Sequence, residues 1–160
     1  MKNFHFEVQV MRCTLTVLIM ATLGIGGASK SGDPNAAVRA VLDAQVAAWN
    51  QGDIDTFMDG YKKSDATAFV DSNGIVRGWQ AVLDRYHKSY PNAQAMGTLN
   101  FYDLEITVLS PTAALVMGHW QLQRQLGKPG GVFTLVFRKF PEGWRIINDH
   151  TSVVAGGAGH

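Results

Sequence analysis

A polar cluster that could perform acid–base chemistry lies near the end of the chain, in residues 143–153. Taken as a strand, this segment places alternate side chains on opposite faces. The two faces would carry Trp144, Ile146, Asn148, His150 and Ser152 on one side, and Arg145, Ile147, Asp149, Thr151 and Val153 on the other. Each face mixes apolar and polar groups, which favours a strand that forms the floor of a pocket.

His150 is the first candidate for a catalytic group, because an imidazole gains and loses a proton near neutral pH. The alternative is a buried histidine bonded to a backbone carbonyl or to Tyr61. Asp149 is the second candidate, as a general acid or base. Because adjacent strand residues point to opposite faces, Asp149 and His150 cannot share a pocket unless a β-bulge intervenes, so a surface or interface aspartate is favoured.

Three aromatic residues are candidate ligand contacts. Tyr61 and Tyr86 lie on helical stripes that face the sheet, where a phenol could donate a hydrogen bond to a ligand oxygen. Trp120 shares a strand face with Gly118, and a glycine beside an indole leaves room for a ring-shaped ligand. Core packing is the alternative for all three. His119 lies on the opposite face from Trp120, which favours a place at a subunit interface.

Composition and charge exclude several classes of protein. A chain of 160 residues with 46% hydrophobic and 17% charged residues is expected to form one domain with a sizeable core. The formal net charge is +1 and no run of Lys and Arg occurs, so neither nucleic acid nor a membrane surface is an expected partner. The spacing of His and carboxylate residues matches no metal site, so no metal and no cofactor is expected.

The first 28 residues are typical of a secretory signal peptide. Basic residues precede an apolar run over residues 14–25, and small residues follow, which predicts cleavage after Ala28. The apolar run is shorter than the roughly 20 residues of a transmembrane helix, although an uncleaved anchor is the alternative. Cys13, the single cysteine, lies in this segment, so the mature chain would have no thiol. We expect export to the periplasm or beyond, a linker over residues 29–35, one domain over residues 36–154 and a flexible tail over residues 155–160.

Periodicity along the domain predicts an α+β fold. Helical spacing predicts three helices between residues 34 and 90, and alternation predicts a small hairpin over residues 65–76. Four strands follow over residues 98–109, 113–124, 131–140 and 143–154, and their short turns make neighbours antiparallel. The expected architecture is three helices packed on a curved four-stranded antiparallel sheet plus a small hairpin, a cone-shaped, cystatin-like arrangement that leaves a cavity at one end.

Several motifs, in this order and spacing, carry a resemblance to a known group. They are W-N-Q-G-D at residues 49–53, D-A-T at 65–67, G-H-W at 118–120, F-T-L-V-F-R-K at 133–139 and G-W-R-I-I-N-D-H-T-S at 143–152. Over residues 35 to 154 the chain resembles the nuclear transport factor 2-like superfamily, in its SnoaL-like, polyketide-cyclase-like branch. The resemblance implies a cone of curved sheet around helices, and a homodimer joined through the sheets.

The resemblance leaves the activity open, because this fold hosts isomerases, cyclases, hydrolases and non-catalytic binding modules. In some SnoaL-like cyclases a late-strand aspartate is the general base, and Asp149 matches that position. The base of ketosteroid isomerase would correspond to Val70, beside Asp71, so that isomerase activity is not expected.

The favoured function is therefore an exported domain that binds a small apolar or aromatic ligand in a conical pocket lined by Tyr61, Tyr86, Trp120 and His150. The first alternative is a cofactor-independent isomerase, cyclase or hydrolase that uses His150 or Asp149 as general acid or base. The second is a dimerisation module whose pocket is filled by side chains.

Overall fold

The computed structural model describes residues 32–154. The expected signal peptide and tail, and the first three residues of the expected linker, lie outside this range. The last part of the linker is already helical, because the first helix begins at Pro34. No helix in the described range is both long and apolar enough to span a membrane.

Four helices precede the long strands: α1 (Pro34–Asn50), α2 (Ile54–Met58), α3 (Trp79–Ser89) and α4 (Ala93–Met96). Asp33 caps α1 by accepting a hydrogen bond from the backbone N–H of Asn35, and proline occupies the first helical position. The short helix α4 is one more than the sequence predicts. Its cap is Asn92, which accepts a hydrogen bond from the N–H of Ala95 at 2.9 Å.

The strands are β1 (Ala68–Asp71), β2 (Gly74–Arg77), β3 (Thr98–Ser110), β4 (Ala113–Gln123), β5 (Gly130–Phe140) and β6 (Gly143–Val153). They form a single six-stranded sheet in the order β2-β1-β6-β5-β4-β3. The α+β class and the antiparallel meander are confirmed. The hairpin of β1 and β2 does not stand apart, however, because β1 pairs in parallel with β6 and extends the sheet.

A β-bulge in β6 decides which side chains reach the interior. Val136 pairs with Asn148 and Phe137 with Ile146, so Ile147 is an extra residue without its own partner. An extra residue of this kind shifts the alternation of the strand beyond it. Trp144 and Ile146 are buried before the bulge, and Asp149 is buried after it.

The core lies between the helices and one face of the sheet, which we call the inner face. Its most deeply buried large side chains come from helices and strands alike: Leu42, Met58, Val82, Val116, Phe137 and Ile146. The opposite, outer face of the sheet carries several exposed side chains, among them Tyr102, Met117 and Val132. Within residues 32–154, the sheet therefore separates the core from an outer face on which several apolar side chains are exposed.

Candidate functional site

A cavity of about 120 Å³ lies between the helices and the inner face of the sheet. Most of its lining is aromatic or aliphatic, which suits a largely apolar molecule. Among the described residues that line it, only Arg85 and Asp149 carry a charged group. The uncharged contacts that matter below are Tyr61, Tyr86, Ser89, Tyr90, Trp49 and Trp120.

Asp149 is the buried acid of this cavity, with 6% of its surface exposed. Its Oδ2 accepts a hydrogen bond of 2.6 Å from the hydroxyl of Tyr61. Its Oδ1 is also buried and has no hydrogen-bond partner among the described residues. Burial raises the pKa of Asp149 from 3.8 to about 7, and the hydrogen bond from Tyr61 works in the opposite direction. The group can therefore both accept and return a proton near neutral pH.

Backbone pairing holds Tyr61 beside this carboxyl group. The N–H of Lys62 donates to the carbonyl of Ile146, and the N–H of Ile146 donates to the carbonyl of Gly60, both at 2.9 Å. Tyr61 thus lies next to β6, just ahead of the bulge. Burial and the neighbouring charge of Asp149 raise the pKa of Tyr61 well above its usual value, so the phenol remains a proton donor.

Tyr86 extends this hydrogen-bonded group across the cavity. Its hydroxyl oxygen lies 3.3 Å from that of Tyr61, and both residues line the cavity. Burial, followed by the charge of Asp149, raises the pKa of Tyr86 well above its usual value. The structure therefore brings Tyr86, Tyr61 and Asp149 together as two phenols and one carboxyl group in a row.

His150 does not join them, and the prediction that it lines the pocket is wrong. It is exposed, whereas Asp149 is buried. Strict alternation from Trp144 places His150 inward, but the bulge at Ile147 exchanges the faces of every residue after it. The same bulge removes the reason for regarding Asp149 as a surface or interface residue.

Trp120 lines the cavity, but the space expected beside it is not empty. A side-chain carbon at Gly118 would lie 2.5 Å from Leu104 and 3.0 Å from Phe133, so these residues fill that position. Gly118 therefore permits close packing rather than ligand access. His119 is on the outer face, stacked on the ring of Tyr102 with 4.9 Å between ring centroids.

A charged group that the sequence analysis did not identify lies at the edge of the cavity. Arg85 of α3 lines the cavity and forms an ion pair with Asp71 at the end of β1. Ser89, one helical turn later, lines the cavity as well. The available signal was the spacing of four residues between Arg85 and Ser89, each of which directly precedes a tyrosine, Tyr86 or Tyr90.

Comparison with known proteins identifies the family to which this architecture belongs. The family model of the SnoaL-like domain matches residues 38–156. The chain belongs to the SnoaL-like domain family. An NTF-2 like protein of unknown function from Shewanella oneidensis MR-1 has 37% sequence identity and a TM-score of 0.72, with 75% of this chain and 99% of that chain covered. The resemblance of residues 35 to 154 to the SnoaL-like branch is thereby confirmed.

Two more distant structures share the fold of this SnoaL-like domain. A ketosteroid isomerase-like protein from Erwinia carotovora atroseptica SCRI1043 has 15% identity and a TM-score of 0.62, covering 78% of this chain and 98% of that chain. A protein of unknown function with a cystatin-like fold from Nostoc punctiforme PCC 73102 has 10% identity and the same TM-score, covering 76% and 92%. No match is found among curated proteins.

Two other site expectations for this SnoaL-like domain concern Asp71 and metal ligands. Asp71, beside the position that corresponds to the base of ketosteroid isomerase, is held in the ion pair with Arg85. Within residues 32–154, no three His, Cys, Asp or Glu side chains cluster closely enough to hold a metal ion. Asp149 remains the described carboxyl group that lines the cavity.

Proposed function

We propose that this SnoaL-like domain is an enzyme that moves a proton on a small, largely apolar substrate, with Asp149 as general base and acid. The observation that carries the proposal is a buried carboxyl group with a pKa of about 7 in the lining of an apolar cavity. A general base is most effective when its pKa lies near the working pH. A pocket that only binds an apolar ligand has no need of a desolvated carboxyl group.

The hydrogen bonds around Asp149 support a division of roles. Tyr61 occupies Oδ2, which leaves Oδ1 as the oxygen that takes the substrate proton. When the base removes a proton from a carbon next to a carbonyl, negative charge develops on the carbonyl oxygen. The hydroxyl of Tyr86 is a donor suited to that oxygen. Return of the proton from Asp149 to a different carbon completes an isomerisation. In a ring closure the carbanion instead forms a bond to a second carbonyl carbon of the same substrate, and the proton goes to the alkoxide oxygen produced there. If Asp149 takes its proton from water, the water oxygen adds to an electrophilic carbon, the bond to the leaving group breaks, and the proton passes to that group, which gives hydrolysis.

A neutral test substrate separates this proposal from simple binding. The ring of 5-nitrobenzisoxazole opens when a base removes its C–H proton, the N–O bond breaks, and a coloured phenolate forms. We expect the wild-type protein to accelerate this reaction with a rate that rises through about pH 7, as Asp149 ionises. Asp149→Asn should lower the rate about 100-fold or more, the range of general base catalysis.

His150→Gln is the matched control, because it changes the neighbouring residue on the outer face. Its rate should equal that of the wild type. Equal rates for the wild type and Asp149→Asn would contradict the role of Asp149.

The second candidate is a non-catalytic binding domain, favoured by the mostly apolar and aromatic lining. Mass spectrometry of molecules that co-purify with the protein tests it directly. A bound small molecule that Asp149→Asn still retains, without any base catalysis in the wild type, would favour binding alone. A pure dimerisation module is less well supported, because such a module has no reason to keep an open cavity.

Export and assembly are further parts of the proposal. The leader pattern in residues 1–28 supports export to the periplasm or beyond. The exposed apolar side chains of Tyr102, Met117 and Val132 support a homodimer joined through the outer face. In such a dimer His119 would lie at the subunit contact.

A further inference from the structure

The cavity carries opposite charges in two separate places. Asp149 projects from β6, in contact with Tyr61, whereas Arg85 projects from α3 and pairs with Asp71. Among the described residues no hydrogen bond or ion pair joins Asp149 to Arg85, so a bound molecule meets the two charged groups in separate places.

Arg85 has hydrogen-bonding capacity that its ion pair leaves unused. A guanidinium group has five N–H donors, and the contact with Asp71 joins one of its terminal nitrogens to a single carboxylate oxygen. The ring of Phe69, 5.0 Å from the guanidinium carbon, supports the group from the side. Because Asp71 and Phe69 fix its position, Arg85 presents donors to the cavity at a small cost in side-chain entropy.

The surroundings of Arg85 are suited to an anion. Ser89 adds a hydroxyl one turn along the same helix, and it also lines the cavity. The guanidinium of Arg124 lies 5.6 Å from the centroid of the ring of Tyr90, which also lines the cavity. Arg124 does not itself line the cavity, but among residues 32–154 no acidic side chain forms an ion pair with it, so its positive charge beside Tyr90 is not neutralised as that of Arg85 is. Burial raises the pKa of Tyr90, and the positive charges of Arg124 and Arg85 oppose that change.

We propose that the substrate of this domain carries an anionic group, in the simplest case a carboxylate, on an apolar ring, and that Arg85 and Ser89 bind that group at the cavity edge. The inference rests on the proposed function and adds the class of substrate. Repulsion from Asp149 keeps the anion at the arginine end, so the apolar body extends towards the carboxyl group that exchanges the proton. The charges thus set one orientation of the substrate.

Two small probes test this inference without knowledge of the natural substrate. 4-Nitrobenzoate and 4-nitrobenzamide have the same ring and nearly the same shape, but only the first is an anion. Both nitro compounds quench tryptophan fluorescence, and Trp49 and Trp120 line the cavity. We expect the wild type to bind the benzoate about tenfold more tightly than the amide, since hydrogen bonds to charged groups are strong.

The double variant Asp71→Asn/Arg85→Gln should lose this preference and keep its affinity for the amide. Changing both partners avoids leaving a half-buried carboxylate without its cation. Arg138→Gln, which removes an exposed arginine from β5, is the matched control and should keep the preference. Arg85→Lys keeps the charge but loses the planar fork, and should keep part of the preference.

The outcomes separate the two proposals. Equal affinity of the wild type for the two probes, or a preference that survives in the double variant, overturns the anion site. Neither result touches the opening of neutral 5-nitrobenzisoxazole, which requires the carboxyl group of Asp149 but neither Arg85 nor Ser89. Absence of quenching by both probes also overturns the anion site, and the benzisoxazole rate then decides the proposed function by itself.

Discussion

The hydroxyl of Tyr61 donates a 2.6 Å hydrogen bond to Oδ2 of Asp149 across the boundary between the helices and the last strand. This bond stabilises the ionised carboxylate and so lowers the pKa of Asp149 against the larger effect of burial. Tyr61→Phe removes the donor, and the pKa of Asp149 should rise above 7. The pH–rate profile for 5-nitrobenzisoxazole should therefore move to higher pH by about one unit, the value of a hydrogen bond to a charged group.

Tyr102→Phe is the control, because Tyr102 lies on the outer face and does not contact the cavity. Its profile should coincide with that of the wild type. A profile that Tyr61→Phe leaves in place, or moves to lower pH, would show that the bond does not stabilise the carboxylate.

The raised pKa of Asp149 also predicts how stability depends on pH. The folded carboxyl group binds its proton up to about pH 7, whereas an unfolded one releases it near its ordinary value of 3.8. Stability from this group is therefore complete below about pH 4 and is lost as the pH rises through 7. The loss above that window is about 4 kcal/mol for a change in pKa of this size.

Asp149→Asn keeps the shape of the side chain and an oxygen that accepts the bond from Tyr61, but it cannot ionise. The variant should be about as stable as the wild type at low pH, and more stable by up to about 4 kcal/mol at pH 8. Urea unfolding at pH 4 and pH 8 measures this difference. Asp43→Asn, at an exposed position of α1, is the control. A gap between Asp149→Asn and the wild type that does not widen with pH would argue against a buried, ionising carboxyl group.

His150 and Asp149 are adjacent in sequence, but the side chain of His150 is exposed and that of Asp149 is buried. His150→Gln should change neither the affinity for 4-nitrobenzamide nor the rate with 5-nitrobenzisoxazole by more than about twofold, since surface changes away from a site have small effects. Fluorescence titration and initial rates measure both. A loss of more than tenfold in either would mean that the imidazole, and not the carboxyl group, faces the cavity.

The comparison of His150 with Asp149 shows what the sequence could determine. Hydrophobic periodicity and caps such as Asp33 were sufficient to predict the helices α1 to α3. Turn residues were sufficient to predict the antiparallel meander of β3 to β6. The segment over residues 143–153 was correctly recognised as the strand that carries the polar group of the site. The prediction of which side chains of this strand face the cavity was wrong. The bulge at Ile147 depends on the pairing with β5, and the alternation of residue types does not indicate it.

Arg85 shows a second limit of the sequence. Its role depends on Asp71, which comes 14 residues earlier and meets it only because the β1–β2 hairpin folds back beside α3. The contact is a tertiary one, and the spacing of Arg85 and Ser89 on α3 gives no indication that Asp71 lies beside them. Tyr86 was found because the apolar stripe of α3 faces the sheet. Tyr61 was found on a predicted helical stripe, but it lies after the end of α2 and pairs with β6 instead. Their partner Asp149 required the structure.

Close approach of β5 and β6 gives the last prediction, which concerns the strand that holds Asp149. A side-chain carbon at Gly131 would lie 1.8 Å from the backbone carbonyl oxygen of Ser152, so any larger residue must push the two strands apart. Gly131→Ala should lower the free energy of unfolding by about 3 kcal/mol, the upper part of the range for overpacked sites. Because Ser152 is adjacent to Thr151, which lines the cavity, binding of 4-nitrobenzamide should weaken as well. Urea unfolding and fluorescence titration measure the two effects.

Gly32→Ala is the matched control, since nothing lies within 4 Å of the added carbon there, and it should leave both quantities unchanged. Wild-type stability in Gly131→Ala would show that β5 and β6 can separate at this point without loss of pairing, and that the position of Asp149 is less firmly fixed than the strand register implies.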